Sequence, residues 1–296
     1  MRPGDTDSSE SIKDKGLRKD AVHIHPWISP LANKWALILG FAGLALIFLT
    51  GALLKPTRVG DGSEYYALYY AIKVGHHPFM TEPAYVAYDK LVASGTLRDA
   101  VATQTMRDAF PPLIQKSGAD YNHFWFYPAL AVVAGGWLSL FGAGAHLAFI
   151  FLHALLFGAL IYVSARAYGR IGAFAAAVVT IGSPMIWFVD KVHTEFLTYC
   201  CVAIAAVVFS RRSYFVAALM LAIASTQNIS IGATSVFLLA IAAWKVRKEP
   251  IKFSNVVLAV TTLALIALHP LYFFTRIGVI DPQLLAGGSL HRIEYR

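Results

Sequence analysis

The segment between Asp120 and Arg166 contains no Lys, Arg, Asp or Glu, and this constrains the fold more than any other feature of the chain. One helix over these roughly 45 residues would be about 67 Å long, twice the ~30 Å hydrocarbon thickness of a bilayer. The segment must therefore fold back on itself. The sequence Phe141-Gly142-Ala143-Gly144 is the simplest place for that turn.

The composition is that of a membrane protein. Of 296 residues, 57% are hydrophobic and 14% are charged, whereas globular proteins average about 25% charged residues. This excludes an ordinary cytosolic enzyme and a disordered chain. The net charge of +8 is interpreted as an excess of basic residues in cytoplasmic loops, so no nucleic-acid partner is predicted. The adjacent Cys200 and Cys201 have neither disulfide nor zinc spacing.

The apolar runs predict an all-α fold, a polytopic helical membrane protein with about seven transmembrane helices, one re-entrant or juxtamembrane helix and a large outer loop. The predicted regions are a disordered cytoplasmic tail (1–34), a first transmembrane helix (35–54), an outer loop with amphipathic helices (55–123), a helical bundle (124–274) and an outer C-terminal segment (275–296). Within the bundle, helices are predicted over 146–165, 171–189, 194–210, 214–226, 229–244 and 253–274.

Basic residues in short loops predict the orientation, because cytoplasmic loops are rich in Lys and Arg. These residues are Arg166, Arg170, Arg211, Arg212, Lys245, Arg247, Lys248 and Lys252. The N-terminus is then cytoplasmic, in the plasma (inner) membrane. This requires 124–141 to be the re-entrant or juxtamembrane helix and 146–165 to cross. The weaker alternative, in which both segments cross, places the eight basic residues outside.

Asp61 follows the first predicted helix, in the sequence Gly60-Asp61-Gly62. One interpretation is a turn that ends the helix. The other is a carboxylate at the depth of the lipid headgroups, where it can accept a proton from a substrate hydroxyl.

Glu195 begins a later predicted helix on the same side. It can serve there as an acidic residue that complements the helix dipole. Alternatively, Lys191, His193 and Glu195 share one outward turn and can hold a metal ion or a phosphate. His76, His77 and His123 are weaker candidates for a site.

The order of these features resembles the GT-C superfamily of polytopic glycosyltransferases, which includes protein O-mannosyltransferases and the aminoarabinose transferases of lipid A. The resemblance covers residues 35–275 and depends on a few short sequences: Gly60-Asp61-Gly62-Ser63-Glu64-Tyr65-Tyr66, Phe124-Trp125-Phe126-Tyr127-Pro128, the basic turn 165–170, Ser183-Pro184 and Thr194-Glu195. Gly62 stands where the family has a second acid, and Glu64 comes two positions later.

The resemblance implies roles for several residues. Asp61 would be the catalytic base or acceptor-binding carboxylate, and Glu195 would assist through a divalent metal ion or the donor phosphate. Asp61 and Glu195 would then also be the metal ligands. The expected substrate-binding residues are Glu64, Tyr65, Lys73, Lys191, His193 and Arg292.

The function expected from the resemblance is transfer of a sugar from a polyprenyl-phosphate donor to a glycan, lipid or protein acceptor on the outer face. GT-C proteins generally have more membrane helices, so the chain is interpreted as a shortened relative, a fragment or half of a split protein. The alternative is a non-catalytic transporter or assembly subunit for lipid-linked glycans. Transporters usually carry ionisable groups at mid-membrane, whereas the acidic residues here lie at the outer helix ends, which favours the enzyme.

Overall fold

The computed structural model describes residues 30–108, 114–115, 118–248, 250 and 252–283, and it is mostly helical. The α-helices are α1 (Pro30–Leu53), α2 (Gly62–Lys73), α3 (Glu82–Ala93), α4 (Thr103–Asp108), α5 (Phe126–Gly135), α6 (Ala145–Ile181), α7 (Met185–Phe188), α8 (Thr194–Ser210), α9 (Tyr214–Ser225), α10 (Ile231–Val246) and α11 (Phe253–Ile277). A 3-10 helix, Gly136–Phe141, follows α5, and a small antiparallel pair joins β1 (Ile114–Gln115) to β2 (Gly118–Ala119). The predicted all-α class is confirmed.

Among the described residues, three helical stretches are long and apolar enough to cross a bilayer: Lys34–Leu53 of α1, α6 and α11. Helices α8, α9 and α10 are apolar but have only 17, 12 and 16 residues. At 1.5 Å per residue they are about 18–26 Å long. The count of about seven crossings therefore stays a prediction.

Helices α1 and α11 expose large apolar side chains. Phe41 is 67% exposed, Leu49 61% and Leu53 85%, and in α11 Phe253 is 83% exposed. Apolar patches of this extent are rare on soluble monomers, whereas a helix that borders lipid presents them as a rule. The exposed apolar surfaces of α1 and α11 therefore indicate that these helices lie against lipid in a membrane.

Helices α1 and α6 pack closely through glycines. A Cβ atom on Gly158 would lie 2.9 Å from the carbonyl oxygen of Gly40 and 3.0 Å from Cβ of Leu44. A Cβ atom on Gly40 would lie 3.0 Å from Cβ of Tyr162. Small residues let helix backbones approach in this way inside membranes, where van der Waals packing contributes much of the association energy.

Helix α6 changes direction at Gly169, whose backbone angles (φ 68°, ψ −157°) are not helical. A Cβ atom on Gly172 would lie 2.4 Å from the carbonyl oxygen of Ser164, although eight residues of straight helix span about 12 Å. The chain thus turns back between 145–168 and 170–181, at the predicted basic turn. The second segment ends at Ile181, before the predicted end at Val189, because Gly182, Ser183 and Pro184 interrupt it.

Helix α2, predicted as part of an outer loop, is deeply buried. Tyr65, Tyr66 and Tyr69 are 1%, 0% and 2% exposed. Tyr66 shares a 2.7 Å hydrogen bond with Nδ1 of His146 on α6, and Tyr65 packs edge-on against Tyr127 of α5. Helix α2 therefore packs between α5 and α6, and these contacts fix the position of the residues at its N-terminus.

Candidate functional site

The N-terminus of α2 lies against the turn that precedes α8. Gly60 has a positive φ of 48°, and a Cβ atom there would lie 3.1 Å from Nε2 of His193. A Cβ atom on Gly62 would lie 3.2 Å from the carbonyl oxygen of Val192. The two glycines that flank Asp61 thus allow its turn to contact the 190–195 turn.

His123 bridges two carboxylates at this position. Its Nδ1 lies 2.7 Å from Oε2 of Glu64, and its Nε2 lies 3.1 Å from Oδ2 of Asp61. The Glu64 side chain is 3% exposed and that of Asp61 is 49% exposed. One ligand atom from each of the three residues lies within 4.8 Å of the other two, so this group can hold a metal ion.

The charges in this group stabilise one another. Burial alone would lower the pKa of His123, but hydrogen bonds to Asp61 and Glu64 outweigh burial and raise the pKa to about 9. The hydrogen bond from His123 lowers the pKa of Asp61 in spite of its partial burial. Without a metal, therefore, an imidazolium and an Asp61 carboxylate coexist at neutral pH.

A second imidazole, that of His193, lies beside Asp61 and next to Glu195. Nδ1 of His193 contacts Oε2 of Glu195, and burial lowers the pKa of His193. The Tyr65 ring packs edge-on against both imidazoles, 5.2 Å from the centre of His123 and 6.0 Å from that of His193. The predicted metal pair therefore differs from the observed grouping: Asp61 joins Glu64 and His123, while Glu195 is turned toward His193.

A cavity of about 860 Å³ opens beside these groups. Its polar wall contains Asp61, Tyr65, His123, His193, Thr194, Glu195, Gln227, Asn228, His269, Asp281 and Gln283. Its apolar wall contains Val179, Met185, Val202, Ala203, Ala206 and Ile229. Ser183, Thr198 and Tyr199 also line it. The cavity is thus amphipathic, with most of its polar groups at the N-terminal ends of α2 and α8, in the turn between α9 and α10 and near the end of α11.

His269 adds a second polar cluster to the same cavity. It is 3% exposed, and its Nδ1 donates a 2.8 Å hydrogen bond to the carbonyl oxygen of Thr226. Its Nε2 lies 3.9 Å from Oδ1 of Asp281. This fixes the imidazole with Nε2 on the side of Asp281, where it can accept one hydrogen bond from a ligand.

The structure places Lys73 and Lys191 away from the cavity wall. Lys73, at the other end of α2, donates a 3.0 Å hydrogen bond to the carbonyl oxygen of Gly136. Lys191 pairs with the neighbouring Asp190. Arg292 lies outside the described residues.

The sequence indicates His123 only as a weak candidate and predicts no chemistry for His269. His123 directly precedes the aromatic start of α5 on the side predicted for Asp61, and that position was an available signal. His269 precedes Pro270 inside α11 and offers no comparable signal.

Comparisons of the chain with protein-family models, with curated proteins and with solved structures find no match. The cavity and the groups that line it therefore carry the functional conclusion.

Proposed function

We propose that this protein is a membrane glycosyltransferase that moves a sugar from a polyprenyl-phosphate donor to an acceptor hydroxyl. The observation that carries the proposal is one cavity that combines an ionised, half-exposed Asp61 with a long apolar wall. The order of motifs that resembles the GT-C superfamily supports the same function.

The apolar wall matches the tail of a lipid-linked donor. Glu195 and Ala206 both line the cavity on α8, and the length of helix between them is about 16 Å. That is about half of the hydrocarbon thickness of a bilayer. Val179 is 57% exposed and Val202 is 41% exposed along this wall. A polyprenyl chain can lie there with its phosphate near the polar groups.

The proposed chemistry is a direct displacement. The acceptor oxygen forms a bond to the anomeric carbon while the bond from that carbon to the phosphate oxygen breaks, and the leaving polyprenyl phosphate keeps the electron pair. Asp61 accepts the acceptor proton as the hydroxyl becomes acidic in the oxocarbenium-like transition state. A single displacement inverts the anomeric configuration. His123 holds the Asp61 carboxylate in place for this step.

The protein lies in the plasma (inner) membrane with a cytoplasmic N-terminus, about seven crossings and the cavity mouth on the outer side. The basic residues predicted to be cytoplasmic and the polar residues of the cavity belong to opposite ends of α8: Arg211 and Arg212 follow its last residue, whereas Glu195 is in its first turn. A glycan, lipid or protein hydroxyl would then reach Asp61 from outside.

Transfer of a radiolabelled sugar from polyprenyl-phosphate donors, in membranes that contain the protein, tests this function. We expect Asp61→Asn to reduce transfer by at least about 100-fold, because the amide cannot accept the proton. Asp99→Asn is the matched control, since Asp99 is exposed, belongs to the same loop region and has a positive φ of 56° that Asn tolerates. Equal transfer by wild type and Asp61→Asn would refute the role of Asp61. No transfer by folded wild type across several donors and acceptors would favour a non-catalytic transporter or assembly subunit.

A further inference from the structure

We propose that His269 and Asp281 form a subsite that binds two neighbouring hydroxyl groups of the donor sugar, on the other side of the cavity from Asp61. The identity of the ligand as a lipid-linked sugar rests on the proposed function. The subsite is built around Nε2 of His269, a buried nitrogen of the cavity wall that has no hydrogen-bond partner among the described residues.

The end of helix α9 determines which nitrogen of His269 is left for a ligand. Thr226 is the C-cap of α9, and carbonyl groups at the end of a helix have no partner within the helix. The Thr226 carbonyl oxygen accepts a 2.8 Å hydrogen bond from Nδ1 of His269. The rings of Phe124 and Phe273 lie 4.8 and 5.0 Å from the centre of the imidazole and hold it in place. Since Nδ1 carries the proton, Nε2 of the neutral imidazole is a hydrogen-bond acceptor.

Nε2 of His269 faces a second acceptor. Oδ1 of Asp281 lies 3.9 Å away, which is too far for a hydrogen bond between the two atoms. The same Oδ1 accepts a 3.0 Å hydrogen bond from the backbone N–H of Gln283, which orients the carboxylate. One ligand hydroxyl carries one proton and can serve only one of the two acceptors, so two neighbouring hydroxyls serve both. Nε2 is closed to solvent, so the first hydroxyl enters as the Asp281 side chain turns aside.

His153 shows how the same fold satisfies a buried imidazole completely. Its Nδ1 donates a 2.9 Å hydrogen bond to the carbonyl oxygen of Val189, and its Nε2 accepts one of 2.8 Å from the Tyr127 hydroxyl. His153 is 0% exposed and does not line the cavity. His269 has the first of these bonds and lacks the second. A buried acceptor without a donor is unfavourable, so a ligand hydroxyl in the place of the Tyr127 hydroxyl contributes affinity.

A direct chain connection places this subsite beside the reacting group. Phe124, whose ring stacks on the imidazole of His269, directly follows His123 in the chain. His123 in turn contacts Asp61. Asp61, His123 and His269 all line the same cavity. A sugar held by its hydroxyls at His269 can therefore present its anomeric carbon on the side of Asp61.

The turn between α9 and α10 favours the donor as the source of these hydroxyls. Thr226, which holds His269, is followed by Gln227 and Asn228 on the polar wall and by Ile229 on the apolar wall. The polar and apolar walls thus meet within three residues of this turn. A lipid tail that lies along the apolar wall brings the sugar attached to it to His269.

The test is binding of lipid-phosphate sugars to the full-length protein in lipid nanodiscs, without an acceptor. The probes are farnesyl phosphate esters of tritiated glucose, mannose, galactose and arabinose, followed by the monodeoxy analogues of the sugar that binds most tightly. We expect loss of either of two neighbouring hydroxyls to weaken binding to wild type by about 10–100-fold, because a buried acceptor then loses its donor. Farnesyl phosphate without a sugar measures the contribution of the tail and phosphate alone.

Two substitutions of His269 separate the role of Nε2 from that of the ring. His269→Asn keeps a donor near Thr226 but has no group at the position of Nε2, whereas His269→Gln can place its amide oxygen there. We expect His269→Asn to bind the complete sugar about 10–100-fold more weakly and to bind one deoxy analogue as tightly as the complete sugar. His269→Gln should stay within about 10-fold of wild type. Farnesyl phosphate should bind wild type and His269→Asn equally.

Asp281→Ala tests the second acceptor and keeps the proposal testable even if His269→Asn fails to fold. It should remove the preference for the neighbouring hydroxyl and leave the preference for the first. His153→Asn is the matched control, because His153 has the same Nδ1 bond to a carbonyl oxygen and lies outside the cavity wall. Folded His153→Asn should bind the sugar with the affinity of wild type.

Two results would overturn the subsite: no binding of any of the four sugars by folded wild type at ~100 µM, or the same preference for the complete sugar over each deoxy analogue in wild type, His269→Asn and Asp281→Ala. The second would mean that Nε2 and Asp281 hold only water. A changed KM for the acceptor in His269→Asn, with unchanged donor binding, would assign the hydroxyls to a glycan acceptor and overturn the donor as their source.

These outcomes are distinguishable from failure of the proposed sugar transfer, because binding requires no acceptor and no reaction. Wild type that binds and discriminates the sugars without transferring them would refute the transferase and leave the subsite intact. Transfer by wild type, together with unaltered discrimination in His269→Asn and Asp281→Ala, would support the transferase and refute the subsite.

Discussion

His123 lies between two carboxylates that differ sharply in exposure. Glu64 is buried and Asp61 is half exposed, and both belong to the first residues of α2 or its preceding turn. A buried carboxylate without a partner is unfavourable by several kcal/mol, so the imidazolium stabilises the folded state while it orients Asp61. Stability and the geometry of the site therefore depend on the same proton.

This dependence predicts how stability changes with pH in the metal-free protein. The pKa of His123 is raised from its ordinary value of 6.5 to about 9, so the folded protein retains a proton that the unfolded chain releases between these values. The stabilisation is complete below pH 6.5 and is lost as the pH rises through 9. We expect the difference in melting temperature between wild type and His123→Gln, measured in detergent with a chelator, to shrink from pH 6 to about pH 9.5.

A difference in melting temperature that stays constant over this pH range would contradict the raised pKa. His76→Gln controls for the loss of an imidazole elsewhere in the 55–123 region, because His76 is exposed.

At the scale of helices, the close contact between α1 and α6 depends on Gly40 and Gly158, which have no side chain to separate the two backbones. Gly158→Leu would place atoms where the Gly40 carbonyl and Leu44 already lie, so the helices must separate. Overpacking of this kind costs about 1–3 kcal/mol. We expect a lower midpoint of thermal unfolding in detergent, with Gly144→Leu unchanged, because no atom lies within 4 Å of a Cβ at Gly144. A fall of the same size in both variants would show that the added leucine acts through something other than this contact.

The sequence predicted some of these elements well and others poorly, for physical reasons. The uncharged run with Gly142 to Gly144 predicted a fold-back, and the structure ends the 3-10 helix at Phe141 and starts α6 at Ala145. The sequence places the tyrosines of α2 in an outer loop, because local polarity does not reveal that α5 and α6 cover them. Asp61 stood out by its position after a long apolar helix, whereas the pairing of Glu64 with His123 joins residues 59 positions apart and has no local pattern.

At the scale of the whole molecule, the end of α11 contacts the 55–123 region as well as the helical bundle. Asp120, with a side chain 2% exposed, accepts hydrogen bonds of 2.9 and 2.7 Å from Arg276 and one of 2.5 Å from Tyr272. Arg276 also stacks 4.1 Å from the ring centre of Phe79. Asp120 lies three residues before His123, which contacts Asp61 on one side of the cavity. Arg276 belongs to α11, which carries His269 on the other side of the cavity. The contacts of Asp120 with Arg276 and Tyr272 therefore connect the two sides.

The membrane orientation of this connected body is testable at one turn. If α5 does not cross, the 142–144 turn lies outside, and if it does cross, the turn lies in the cytoplasm. Gly144→Cys introduces a thiol with no atom within 4 Å, while Cys200 and Cys201 are both 0% exposed and give little background. We expect a membrane-impermeant maleimide to label Gly144→Cys and Thr105→Cys in intact cells, and to label Lys248→Cys only after permeabilisation. Thr105 and Lys248 are both exposed, so each reports its own side of the membrane.

Labelling of Gly144→Cys only after permeabilisation, alongside Lys248→Cys, would mean that α5 crosses. Helix α6 would then run outward, and the cavity could keep its outer mouth only if a later segment failed to cross.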